Sequence, residues 1–212
     1  MNDARPHTRV KICGLTRPQD VAGAVAAGAD ALGFVFTPRS RRAVDAAAAE
    51  SLVREVPAFV ARVGLFMDQG FEDVARVLDR VPLSLLQFHG SEDAEFCRQF
   101  GLPYIKALAM GSAEDRARVE RRAAAFDDAA ALLLDSHAEG EAGGSGHGFD
   151  WSAVPALPRP LVLAGGLSPD NVREAVRKVR PWAVDVSSGV EDAPGRKNVA
   201  KIRQFIREAK SE

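Results

Sequence analysis

Eight short apolar runs recur along the chain, at residues 10–13, 31–36, 60–67, 83–89, 104–110, 131–135, 161–164 and 183–187. Most are near-continuously hydrophobic rather than alternating, the pattern of parallel strands covered on both faces. The segments between them, 18–27, 46–54, 71–79, 93–99, 114–126, 169–178 and 198–210, carry helical spacing. In 18–27, Val21, Ala24 and Val25 share one face, and Thr16 is the expected N-cap. Ser168 and Pro169 read as a helix start, with serine as cap and proline in the first turn. The rhythm breaks once, after the sixth run. There EGEAGGSGHGFD (139–150) is polar and glycine-rich, and 151–157 leaves room only for a short helix before Pro158 and Pro160.

Eight strand–helix units fit either a closed (βα)8 barrel or an open doubly wound sheet. The count suits closure, and 212 residues over eight units, about 26 each, suits short loops around a cylinder. The expected fold is α/β, a single-domain (βα)8 TIM barrel over 1–212, with the first eight or so residues as a short N-terminal extension. The glycine-rich stretch lies inside the strand–helix rhythm, so it reads as a long βα loop rather than a linker.

Composition narrows the function more than the fold. With 46% hydrophobic and 27% charged residues the chain is an ordinary globular protein. Lys plus Arg is 28 and Asp plus Glu 29, a net charge of −1. That balance excludes polyanion binding by bulk charge, and no nucleic-acid partner is expected. MNDARPHTR at the start lacks the apolar centre of a signal peptide. No run approaches the ~18 apolar residues of a membrane span, so no membrane partner is expected either. Two cysteines, Cys13 and Cys97, make no disulfide framework; a reducing, cytoplasmic setting and a monomer are expected.

In a barrel of this kind the chemistry sits at the C-terminal ends of the strands, and residues two apart on a strand point the same way. Lys11 and Cys13 share a face of the first strand, Gln87 and His89 of the fourth, and Asp185 and Ser187 of the eighth. Asp135 closes the sixth on the face of Leu133. If these faces turn inward, the mouth holds a thiol, a carboxylate, an amide and an imidazole. A lone cysteine in an apolar strand is usually a small hydrophobe, and Cys97 inside EFCRQF keeps that reading. Cys13 stands directly before Gly14 at a strand end, which turns it toward function. An aspartate ending a strand is often a turn former, but Asp135 precedes a long loop with no immediate helix to cap. His89 has the plainer alternative of ordering the turn at Gly90. No Cys/His spacing resembles a zinc site, and no metal is expected.

Glycines at the last two strand ends point to phosphate. Gly165-Gly166 follows the seventh strand, and Ser187-Ser188-Gly189 closes the eighth. Glycine lets backbone N–H groups approach an anion, and the loops after strands seven and eight recurrently bind phosphate in this fold. Tight turn formation is the alternative. Gly144-Ser145-Gly146 is a further candidate phosphate contact or hinge, although no Gly-Lys-Ser/Thr follows as in a P-loop. Arg39-Ser40-Arg41-Arg42 follows the second strand. It is either a solvated loop or, at the mouth, a guanidinium fork for a carboxylate.

Taken together, KICGLT (11–16), GADALGFVF (28–36), PRSRR (38–42), QFHG (87–90), LLLD (132–135), GGSGHGFDW (143–151), LAGGLSPDNV (163–172) and VDVSSGVE (184–191) resemble the phosphoribosylanthranilate isomerases of tryptophan biosynthesis. The resemblance runs in order from about Val10 to the C-terminus. It implies a (βα)8 barrel that, without cofactor or metal, performs an Amadori rearrangement of N-(5-phosphoribosyl)anthranilate to 1-(2-carboxyphenylamino)-1-deoxyribulose 5-phosphate. Carried over by motif, Cys13 is the general base, Asp135 the general acid and Arg42 the contact for the anthranilate carboxylate. Phosphate falls to Gly144–Gly146, Gly165, Gly166 and Ser187–Gly189, while Lys11, Gln87, His89 and Asp185 are further substrate contacts. Phe88 departs from the usual Leu of QLHG, and His147 stands where a basic or amide residue is common.

The chemistry needs these residue types. Ring opening requires a proton on the furanose oxygen, so Asp135 must be protonated, which partial burial favours. The iminium so formed acidifies C2–H, and a thiolate removes that proton. Lys11, on the face of Cys13, is a candidate source of positive potential to lower the thiol. Other sugar-phosphate barrel enzymes share the glycine loops but need metal ligands or a catalytic lysine. A barrel that only binds a phosphorylated metabolite would lack the acid or the base.

Overall fold

Strands that are apolar on both faces need cover on both sides, and this chain supplies it by closing its sheet. A computed structural model of the chain describes residues 7–110, 116–136 and 150–211. Eight parallel strands form a closed barrel in sequence order, with β8 returning to pair with β1. They are β1 (Arg9–Cys13), β2 (Ala31–Val35), β3 (Ala61–Phe66), β4 (Leu85–Phe88), β5 (Tyr104–Ala109), β6 (Ala131–Asp135), β7 (Leu161–Leu163) and β8 (Ala183–Val186). Between and after them lie α1 (Pro18–Ala26), α2 (Ala46–Arg54), α3 (Phe71–Leu78), α4 (Ala94–Arg98), α5 (Arg116–Ala123), α6 (Val172–Val179) and α7 (Val199–Lys210). The closed barrel is the fold, and the open-sheet alternative falls. Among the described residues, the β6–β7 connection holds a single 3-10 turn at Trp151–Ala153. A short antiparallel ribbon, β9 (Glu191–Ala193) and β10 (Arg196–Lys197), follows β8 and was not expected from the apolar pattern. No described helix is long and apolar enough to cross a membrane.

Strand parity divides the core in two. Ile105, Ala107, Leu133, Val162, Ala164 and Ala183 pack together inside the barrel. Strand residues of the opposite parity, including Val10, Ile12, Leu32, Phe34, Leu86, Leu132, Leu134 and Val184, join the larger core beneath the helices. Phe88 belongs to that outer core. Its ring stands 5.8 Å from Phe96, 5.7 Å from Phe100 and 6.2 Å from both Phe66 and Tyr104. The departure from leucine is therefore absorbed by an aromatic cluster on the far side of the strand from the barrel interior.

Two expected helix starts are corrected. Thr16 does not cap α1; Arg17 holds that place, and the Thr16 hydroxyl donates to the Gly195 carbonyl at 2.7 Å. Ser168-Pro169 does not open α6, which begins at Val172. Asn171 folds back instead, its Oδ1 accepting from Ser168 N–H at 2.8 Å and its Nδ2 donating to the Gly166 carbonyl at 2.9 Å. Those bonds bind Ser168 and Pro169 into the loop leaving Gly165-Gly166.

A buried ion pair braces the β4 loop from outside the barrel. Lys106 on β5 is fully buried; its Nζ donates to the Gly90 carbonyl at 2.7 Å and to Glu92 Oε2 at 2.8 Å. Glu92 in turn accepts from the N–H groups of Asp68 and Gly90. Removing one member of such a pair strands a buried charge, at a cost of about 3–5 kcal/mol. Lys106→Met is expected to lower the unfolding free energy by roughly 3 kcal/mol in a denaturant titration, and adding Glu92→Gln is expected to recover part of the loss.

Candidate active site

The last residues of β1 and β6 are Cys13 and Asp135, and parity turns both toward one cavity at the C-terminal mouth of the barrel. Arg42, Gln87, His89, Gly165, Gly166, Asp185, Ser187 and Ser188 line the same cavity. Cys97, by contrast, is buried in α4 within the outer core, where burial pushes its thiol up to about 12.

Room for the sulfur comes from the neighbouring strand. Cys13 pairs in register with Gly33 of β2, and a Cβ there would lie 2.9 Å from Cys13 Sγ and 3.2 Å from Lys11 Cε. Lys11 does not reach the cavity wall. It lies below the sulfur, 4% exposed, with Nζ 2.8 Å from Asp185 Oδ1. Burial disfavours the Lys11 ammonium, but Asp185 and Cys13 outweigh it and hold the ammonium above its ordinary range. The same contest at Cys13 ends differently. Burial pushes the thiol up, and the positive charge of Lys11 pulls it down only in part, with Lys197 pulling more weakly. The expected lowering by Lys11 is present but is not the net result in the ligand-free site.

Arg42 reaches the wall with one edge already used. Its Nε and Nη2 form a forked pair with Glu191, at 2.8 and 2.7 Å. The contact expected between this guanidinium and a ligand carboxylate is therefore left to its remaining donors. Glu191 is also bonded by Lys197 Nζ at 2.7 Å, and Lys197 further donates to the Ser187 carbonyl at 3.0 Å. Burial opposes the Glu191 carboxylate, yet Arg42 and Lys197 hold it below the usual range. Ser187 Oγ donates to the Cys13 carbonyl at 3.1 Å, tying this network to the strand that carries the thiol.

The β7 and β8 loops offer backbone donors. Gly165 and Gly166 both adopt positive φ, 80° and 65°, and a side chain at Gly165 would collide with the backbone of Ser136. Among the described residues the N–H groups of Gly165, Gly166 and Ser188 have no acceptor. Gly189 is one step behind the wall rather than on it, because its open side faces the Leu167 carbonyl. Gly144, Ser145 and Gly146 lie outside the described residues.

His89 does more than shape the Gly90 turn. Its Nδ1 is 3.0 Å from Gln87 Nε2, and its Nε2 is 3.3 Å from Asp135 Oδ2. Thr37, which sequence reasoning passed over, also lines the cavity, and its buried Oγ1 has no partner among the described residues.

A model of the N-(5′-phosphoribosyl)anthranilate (PRA) isomerase family matches residues 10–208. The chain belongs to this family. It is 53% identical over 202 residues to the N-(5′-phosphoribosyl)anthranilate isomerase of Pseudomonas aeruginosa strain UCBPP-PA14, covering 95% of this chain and 94% of that one. The phosphoribosyl anthranilate isomerase of Thermotoga maritima superposes with a TM-score of 0.85 at 42% identity, over 96% of this chain and 98% of that one. A family structure in complex with reduced 1-(o-carboxyphenylamino)-1-deoxyribulose 5-phosphate superposes with a TM-score of 0.81 at 39% identity, over 96% of this chain and 98% of that one.

Only the thiolate reacts with thiosulfonates, which cap it as a mixed disulfide, and its fraction grows tenfold per pH unit below the thiol pKa. Because burial raises that of Cys13, the rate of Cys13 modification by methyl methanethiosulfonate is expected to keep rising through pH 8–9. Lys11→Met is expected to move the titration to still higher pH; mass spectrometry of the labelled peptide checks both.

Proposed function

We propose that this chain is an N-(5′-phosphoribosyl)anthranilate isomerase that converts its substrate to 1-(2-carboxyphenylamino)-1-deoxyribulose 5-phosphate with Cys13 as general base and Asp135 as general acid. The observation that carries this reading is that both residues end strands on one cavity, with backbone donors at its β7–β8 rim and a guanidinium on its β2 side. The phosphate of the substrate takes the N–H groups of Gly165, Gly166 and Ser188, glycine allowing close approach. Arg42, its fork held by Glu191, turns its remaining donors to the anthranilate carboxylate. A ribose fixed at one end by phosphate and at the other by carboxylate lies across the mouth between β1 and β6.

Asp135 delivers a proton to the furanose oxygen while the anilino nitrogen pushes the ring open to an iminium. That cation solves the problem posed by the raised thiol. A positive charge arriving beside Cys13 favours its thiolate form; the thiol proton passes to solvent first, so the sulfur enters the step as thiolate and is competent as C2–H becomes acidic. Sulfur takes the C2 proton, and the enolamine becomes the ketose. A base that has to remain a free thiol suits the reducing conditions of the cytoplasm.

Phosphoribosylanthranilate is fluorescent, and its loss on adding the protein is the direct assay. Cys13→Ala and Asp135→Asn are each expected to lower kcat by about 10²–10⁴-fold, the range for a lost general base or acid. Arg42→Ala is expected to raise KM chiefly, and inorganic phosphate to inhibit competitively. Unchanged turnover in either Cys13→Ala or Asp135→Asn defeats the role assigned to that residue.

A further inference from the structure

The wall between β4 and β6 carries a hydrogen-bond chain with one loose end. Gln87 is fully buried, its Nε2 is 3.0 Å from His89 Nδ1, and His89 Nε2 is 3.3 Å from Asp135 Oδ2. An amide nitrogen only donates, so Nδ1 is the accepting nitrogen and the neutral ring carries its proton on Nε2, facing Asp135. The other end of the amide, Gln87 Oε1, is buried without a partner among the described residues. A half-turn of this amide exchanges two groups of nearly the same shape. Oε1 then faces Nδ1, the ring proton belongs on Nδ1, and Nε2 becomes an acceptor for a proton on Asp135.

We propose that Gln87 and His89 are positioning residues that set, through the imidazole tautomer, whether Asp135 meets the substrate as acid or as carboxylate. The proposal rests on the reading of Asp135 as general acid. With the amide nitrogen toward the ring, Nε2–H donates to Asp135 and favours its charged form; with the amide oxygen toward the ring, Nε2 accepts and favours the neutral acid. The two arrangements differ by one proton, the one that ring opening delivers to the furanose oxygen. It returns to Asp135 when the C2 hydroxyl gives up its own proton as the ketone forms. The C2 proton, carried by Cys13 to C1, leaves the sulfur as it began. Among the described residues, the other titratable or charged groups on this cavity wall are Cys13 on β1, Arg42 after β2 and Asp185 on β8. Asp185 is tied to Lys11, Asp68 and Glu92 stand behind Gly90 and Ser91, and Lys106 is turned outward to Glu92.

The tautomer is read directly by ¹⁵N NMR of histidine-labelled protein. Ligand-free enzyme is expected to show neutral His89 protonated on Nε2. Gln87→Glu, studied at a pH where its carboxyl is ionised and so presents only acceptors to Nδ1, is expected to place a proton on Nδ1; a bare Nδ1 in both proteins overturns the proposal. His89→Asn is expected to lower kcat about tenfold with KM within about threefold. Its alkaline limb of kcat against pH is expected to fall by about one pH unit, because the neutral acid has lost its acceptor. A reduced rate with that limb unmoved assigns His89 a merely structural role and overturns the proposal. Asp135→Asn separates the two readings: if it turns over normally the acid assignment itself fails, and if it is inactive while the His89→Asn limb stays put, only the tautomer control fails.

Discussion

The barrel closes where its first and last strands meet, and that seam is held by a buried charge pair. Lys11 and Asp185 are register partners across β1 and β8, with 2.8 Å between ammonium and carboxylate. Neither charge is tolerable there alone, since a buried pair that loses one member strands the other. Together they do two things at once. They join chain segments 174 residues apart, and they place a fixed positive group beneath the sulfur of Cys13. The rest of the mouth is arranged around this seam, with Ser187, one strand turn beyond Asp185, bonding back to the Cys13 carbonyl.

Charge is then layered outward from the seam. Lys197, Glu191 and Arg42 form a second buried chain in which each cation shares one carboxylate. Its effect is to hold a guanidinium rigid at the cavity edge while leaving part of its donor set for a ligand. A long flexible side chain in that place would lose rotamer freedom on binding; one already clamped has lost it on folding.

Much of this was legible along the chain. The eight apolar runs mark the eight strands to within a few residues at each end, because a strand buried on both faces has no polar positions to blur its limits. Strand parity likewise brought Lys11 with Cys13, Gln87 with His89, and Asp185 with Ser187. What failed were features decided by tertiary contacts. Thr16 and Ser168 have the chemistry of helix caps, but the Gly195 carbonyl claims the Thr16 hydroxyl, while Asn171 binds the Ser168 N–H and the Ser168 hydroxyl accepts from Asp170 N–H within the loop. Nothing local in the sequence reveals that a two-strand ribbon carries Glu191 and Lys197 under Arg42, 149 residues away from Glu191. The orphaned oxygen of Gln87 was equally invisible, being a property of an orientation rather than of a residue type.

The notch at Gly33 has a consequence for how this barrel can diverge. The sulfur and the side chain below it occupy volume that a neighbouring strand has given up, so positions 11, 13 and 33 share one small space. A lineage that exchanged the thiol for a bulkier proton acceptor would find no slack on that side. One that first enlarged position 33 would expel the thiol before any replacement was in hand. Mutational routes to a new base are thereby forced to run through smaller groups, and the glycine, though it touches no reactant, sets the order in which the others can change.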